Sequence, residues 1–189
     1  MKQQGFTLIE LILVVAIITV LAAALAFEFV GWQERYTSES EIQTMQNDLM
    51  TVRTYAMQQN TSYFVQLTNA KPEEYDIYMD KDGSGDLDTS VDTKITSLSR
   101  QGLSKQLTSN SGVNPTTITM DRRGMVQVPP TAPASGMSIW LLKDDGNPYG
   151  FLDAAHTKPE IEYDCIFLAG TRILVGKYDD TKDPVCQAK

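Results

Sequence analysis

The chain has 189 residues, 16 basic against 24 acidic, a formal charge of −8 and a pI near 4.6. That length holds one compact domain plus an extension, and the negative balance repels a phosphate backbone, which argues against generic nucleic-acid binding. Its two cysteines, Cys165 and Cys186, are not in C-x-x-C spacing, so a zinc ribbon or a thioredoxin-type redox pair is excluded.

The first element is an apolar helix. Residues 6–27 carry a single charge, Glu10, and residues 11–27 carry none. About 20 apolar residues at ~1.5 Å each cross a hydrocarbon core, so this is membrane-spanning length. Lys2 lies before it and Glu28, Glu34 and Glu39 after it, which predicts a cytoplasmic N-terminus and a translocated remainder. Residues 21–24 (LAAA) have the look of a secretory cleavage site, but the helical pattern continues past them. Between residues 6 and 59 there is one glycine, Gly31, and no proline, so a single helix ~80 Å long is predicted there. In its second half Ile42, Met45, Leu49, Val52 and Ala56 recur at steps of 3 and 4, with Glu39, Glu41, Asp48 and Arg53 off the stripe. Such a stripe serves equally in a coiled coil, in an ordinary core helix or in a helix laid on a globular head. Glu10 stands apart, because a carboxylate near the start of a membrane span is costly unless it has a cationic partner.

From residue 61 onward short runs rich in β-branched and aromatic residues alternate with Gly, Pro, Asn and Asp. Strands are predicted over residues 62–68, 74–79, 93–99, 116–121, 124–128, 137–142, 161–169 and 171–178, giving an antiparallel sheet or sandwich. Residues 112–115 and 128–136 read as loops. The fold class is therefore α+β, a long helix carrying a β-rich head.

The segment 80–88 (DKDGSGDLD) offers side-chain oxygens at Asp80, Asp82, Ser84, Asp86 and Asp88 with Gly85 sixth, the pattern of a calcium loop. Its twelfth position, which should be a bidentate Glu, is Val91, with Asp92 one residue late. A hairpin tip also needs Asp and Gly for turn geometry alone. His156, the only histidine, has no recognisable nucleophile motif beside it, and G-x-S-x-G, H-E-x-x-H and phosphate-cradling glycine loops are all missing, so no enzymatic activity is expected.

Residues 5–11 (GFTLIEL), behind a short leader with Lys2, resemble the class III signal of type IV pilins and type II secretion pseudopilins. The resemblance implies cleavage by a prepilin peptidase between Gly5 and Phe6, N-methylation of Phe6, and pairing of Glu10 with the Phe6 amine of a neighbouring subunit during assembly. It implies a leader at 1–5, a helix at 6–60 (6–27 spanning the membrane or the filament core, 28–60 amphipathic) and a periplasmic or extracellular head at 61–189. The implied partners are other pilin or pseudopilin subunits, the peptidase and an inner-membrane assembly platform; no cofactor is required, calcium being the one candidate. In an exported chain, Cys165 and Cys186 fit a disulfide better than two reduced thiols, worth on the order of 3 kcal/mol by loop closure.

The order of residues 49–60, the hairpin 75–92 and residues 118–126 (ITMDRRGMV) is similar to the GspH/FimT family of minor pseudopilins. Many major pilins have a glycine and a proline within the apolar helix where this chain has Thr19 and Phe27, which favours a minor over a major subunit. FimT-like members bind DNA through a basic G-R-x-R stretch; the corresponding place here, residues 170–173 (GTRI), has one arginine. The alternatives are a major pilin, a FimT-like DNA-uptake subunit, and a membrane-anchored calcium- or ligand-binding module that never polymerises.

Overall fold

The computed structural model describes residues 7–68, 74–142, 146, 148 and 161–188, with the side chains of 24–32 and 34 outside the description. Helix α1 runs unbroken from Leu8 to Gln59, 52 residues, or ~78 Å at the helical rise. Thr7 caps its start, the hydroxyl oxygen accepting the Glu10 amide at 3.3 Å and the carbonyl accepting those of Glu10 and Leu11. At its end Asn60 takes the left-handed conformation (φ 53°) and closes on the Ala56 carbonyl, a role that Asn fills more readily than most side chains.

The stripe predicted from the sequence is the buried face of this helix: Ile42, Met45, Leu49, Val52 and Ala56 are each 0–1% exposed. Two antiparallel sheets receive it. The first contains β1 (Tyr63–Thr68), β2 (Glu74–Met79), β3 (Thr93–Lys94), β6 (Thr116–Met120) and β7 (Val126–Gln127) in the order β3-β2-β1-β6-β7, with β4 (Arg100–Gln101) also on β2. The second contains β5 (Gln106–Ser109), β8 (Met137–Leu142), β9 (Cys165–Ala169), β10 (Arg172–Tyr178) and β11 (Cys186–Ala188) in the order β11-β10-β9-β8-β5. Val65, Leu67, Ile77 and Ile118 of the first and Ile139, Leu141, Ile166, Leu168 and Ile173 of the second meet the helix stripe in one core. Strand alternation puts every second residue there.

Several polar ties cross this seam, and one of them is buried. Asp48, on the helix, accepts the Tyr75 hydroxyl of β2 at 2.7 Å and the Arg100 guanidinium of β4 at 2.9 and 3.2 Å. Burial first, then the bond to Asp48 and its charge, push the Tyr75 phenol far above its ordinary range.

Six predicted strands keep their places within two residues. The run 93–99 does not: only Thr93–Lys94 is a strand, because the Leu98 and Ser99 amides close a turn on the Ile95 carbonyl. The run 161–169 is a strand only from Cys165. Three short strands, β4, β5 and β11, lie where none was predicted. Cys165 and Cys186 form a disulfide that joins the strands on either side of β10.

Candidate functional site

From Leu8 to Leu21 the apolar half of α1 stands clear of the head among the described residues. Eleven large apolar side chains there, Leu8 at 78% to Val14 at 48%, stand exposed. They cover every side of the helix, unlike the single stripe of a surface helix. A cylinder of this kind is stable only inside a bilayer or among other apolar helices. Its polar groups are disposed of locally: the Thr19 hydroxyl donates to the Ala16 carbonyl at 2.8 Å, and Glu10 is the one charged residue among the described side chains of 7–23.

Glu10 lies in the first turn, where a negative charge is favoured by the exposed amides and the helix dipole. Thr7 three residues before it makes a Thr-x-x-Glu cap spacing. The cap at Thr7 was readable from the sequence as that spacing, though the motif drew attention only to Glu10. Within the described residues no helix is long and apolar enough to cross a membrane; the described apolar side chains end at Ala23, short of the ~20 a span needs. Gly5, Phe6 and His156 lie outside the described residues.

A family profile described as the prokaryotic N-terminal methylation motif matches residues 1–26. The chain's first 26 residues are similar to the N-terminal segment of type IV pilin-like proteins. The match takes in residues 5–11 and much of the apolar segment, and it stops before the head. No curated protein and no solved structure matches the chain.

The second candidate is the loop between β2 and β3. Asp80 and Asp92 are buried, at 5% and 8% exposure, and they hold the loop by its amides. Asp80 accepts Gly83 and Gly85 N–H at 2.7 and 3.1 Å, and Asp92 accepts Lys81 and Asp88 N–H at 3.1 and 2.8 Å. Carboxylate oxygens of Asp80, Asp82 and Asp92 lie within 4.8 Å of one another. Asp86 and Asp88 lie outside this group; Asp88 accepts the amide and hydroxyl of Ser90, and Ser84 donates its hydroxyl to the Asp86 carbonyl. The member that sequence spacing discounted is Asp92, one place beyond the expected ligand, which the chain reversal before β3 brings back beside Asp80. Hydrogen bonds hold the exposed Asp82 and Asp88 carboxyls below their usual range, chiefly from the Ser84 amide and the Ser90 hydroxyl respectively.

Proposed function

We propose that the chain is a minor subunit, of GspH/FimT kind, of a type IV pilus or a type II secretion pseudopilus, and that it is structural rather than enzymatic. The observation that carries this is the apolar cylinder of α1, exposed on all sides and joined without a break to a head-packed half. Before assembly it anchors the chain in the inner membrane with the head in the periplasm. After cleavage between Gly5 and Phe6 it packs among the helices of other subunits, where Glu10 pairs with the methylated Phe6 amine of a neighbour. A lone carboxylate gains nothing in a bilayer, but opposite an ammonium it fixes the axial register of two helices.

Mass spectrometry of the mature protein is expected to start at N-methylated Phe6. Glu10→Ala is expected to insert and be cleaved normally, since losing a charge eases insertion. It is expected to be missing from sheared filaments, because an unpartnered buried charge costs about 3–5 kcal/mol. A mature N-terminus near Ala24, or wild-type incorporation of Glu10→Ala, would overturn the reading.

A second reading concerns the loop, and it is compatible with the first. We propose that Asp80, Asp82 and Asp92 take a calcium ion. Its support is the convergence of three carboxylates, two of them buried and held by backbone amides. Hard oxygen donors of this kind suit calcium. The chain in detergent micelles is then expected to melt higher in millimolar calcium. Asp82→Asn, which leaves the Asp80 and Asp92 braces intact, is expected to weaken that response. An unchanged melting curve in calcium would return the loop to a plain carboxylate-braced turn.

A further inference from the structure

Positive charge collects at one corner of this acidic chain. Of six arginines, Arg53, Arg122 and Arg123 meet where the helix ends and the β6–β7 turn folds onto it. The turn is seated by Gly124, whose missing Cβ would lie 2.9 Å from the Met57 sulfur and 3.1 Å from the Arg53 Cγ. The Arg53 guanidinium donates to the Thr171 carbonyl at 2.8 Å. That β9–β10 turn is joined to the first by a bond from Val126 N–H to the Gly170 carbonyl at 2.7 Å. Arg122 is exposed and has no ion pair among the described residues. Arg123, its side chain 80% exposed, reaches only Asp121, at 3.4 Å.

Two methionines stand exposed beside these charges, Met57 47% and Met125 38%. An open groove of about 480 Å³ lies between the turn and the Asp-rich loop, lined by Arg122, Arg123 and Asp121 of the turn, Gly85 of the loop, and Asn60, Ser62 and Thr119.

We infer that this corner is a docking surface for another protein, one that presents a carboxylate or two next to an apolar side chain. Arg122, without an ion pair among the described residues, and Arg123, held only by an exposed bridge to Asp121, call for an anion, and their planar donors suit carboxylates. The exposed methionines call for an apolar neighbour, and Arg and Met together are enriched in protein interfaces and deformable enough to accept varied partners. A nucleic acid satisfies the arginines only. It would also have to pass the exposed Asp82, Asp86 and Asp88 across the groove and approach a chain of charge −8, where a continuous polyanion is repelled. A short acidic segment of a folded protein can meet the arginines and stop before the loop. The inference does not depend on polymerisation, so it can be tested on the unassembled chain.

The full chain in detergent micelles is titrated into a labelled, short glutamate-rich peptide carrying one leucine, with empty micelles as the blank, and fluorescence anisotropy is followed. The same peptide with glutamine for glutamate, and a DNA duplex, are the comparison probes. The wild type is expected to bind the acidic peptide, more weakly as salt rises, and neither comparison probe. Arg122→Glu combined with Arg123→Glu, both on an exposed turn, is expected to lose about tenfold or more in affinity at an unchanged circular dichroism spectrum. Met125→Ser is expected to lose severalfold. No binding of the acidic peptide, equal binding by the charge-reversed variant, or tighter binding of the duplex that the same reversal abolishes would each overturn the proposal, the last in favour of a nucleic-acid surface.

Discussion

Asp48 carries both partners of the seam tie on two oxygens, so the three side chains should respond very differently to truncation. Tyr75→Phe removes one donor and leaves Asp48 still held by Arg100, for a loss of about 1 kcal/mol. Asp48→Ala strands a buried phenol and an arginine together. Because the Arg100 side chain keeps 42% of its surface in contact with water, its charge is partly rescued by solvent, and the expected loss is about 2–3 kcal/mol rather than more. Urea denaturation of the chain in micelles checks both; a smaller loss for Asp48→Ala than for Tyr75→Phe would show that the tie is not centred on the carboxylate. Gly124 offers a sharper case. At φ 73° an alanine is strained, and its methyl group would strike the Met57 sulfur and Arg53. Gly124→Ala is expected to lose about 1–2 kcal/mol and to lift the β6–β7 turn off the helix.

Among the elements, the disulfide acts on β11, one of the three strands that sequence reasoning missed. Three residues on one side of β10 bury little by themselves, and the bond to β9 supplies what packing does not. Replacing both cysteines by serine is expected to cost about 3 kcal/mol and to free the C-terminus to hydrogen exchange before the rest of the sheet. Gly176, which pairs with Cys165 on one side and Ala188 on the other, has no room for a methyl group, since a Cβ would lie 2.0 Å from the Gln187 carbonyl oxygen. Gly176→Ala should therefore displace β11 even with the disulfide formed, as limited proteolysis would report.

These cases mark how far the sequence could be read. The helix and its buried stripe were legible because a 3.6-residue period over several turns has no other use. The long strands were legible because alternation and β-branching agree. β5 has one buried residue, Leu107, and β4 and β11 exist through what they pair with, so neither period nor composition marks them. Residues 95–99 have strand composition, but the turn on Ile95 has the stronger local bonds. At the loop, spacing singled out Asp80 and Asp82, which lie together, but passed over Asp92 beside them, since a count along the chain does not register a reversal in space. The N-terminal motif was legible because a charge beside a long apolar run has few reasons to exist, and a family profile matches residues 1–26.

For the whole molecule, pH sets the limits of the head. The Asp82, Asp88, Asp121 and Asp179 carboxyls are all held below their ordinary range. For Asp121 burial is the largest influence and acts the other way, and the amides of Met125 and Arg123 together with the Arg123 guanidinium outweigh it. A folded-state value below the unfolded one contributes stability that is whole above about pH 4 and is lost as pH falls through the folded value. At the other end the Tyr63, Tyr75 and Tyr178 phenols are raised, chiefly by burial, and the Lys94 ammonium is raised, chiefly by its bond to Asp76. Raised groups contribute fully below the unfolded values near pH 10 and lose that contribution above them. Thermal melts are expected to be flat between about pH 5 and pH 9 and to fall on both sides.

The uninterrupted helix also settles where mechanical load goes. Axial pull on a subunit gripped by its first turns travels up one hydrogen-bonded rod from Leu8 to Gln59 and enters the head along the face bearing Ile42 to Ala56. There the force is a shear, shared over several turns of interlocked side chains, and Asp48 lies midway along that face. No strand has to be peeled for the rod to slide, so the seam resists as a unit: the head should stay folded under tension until the helix is dragged out of it as a whole.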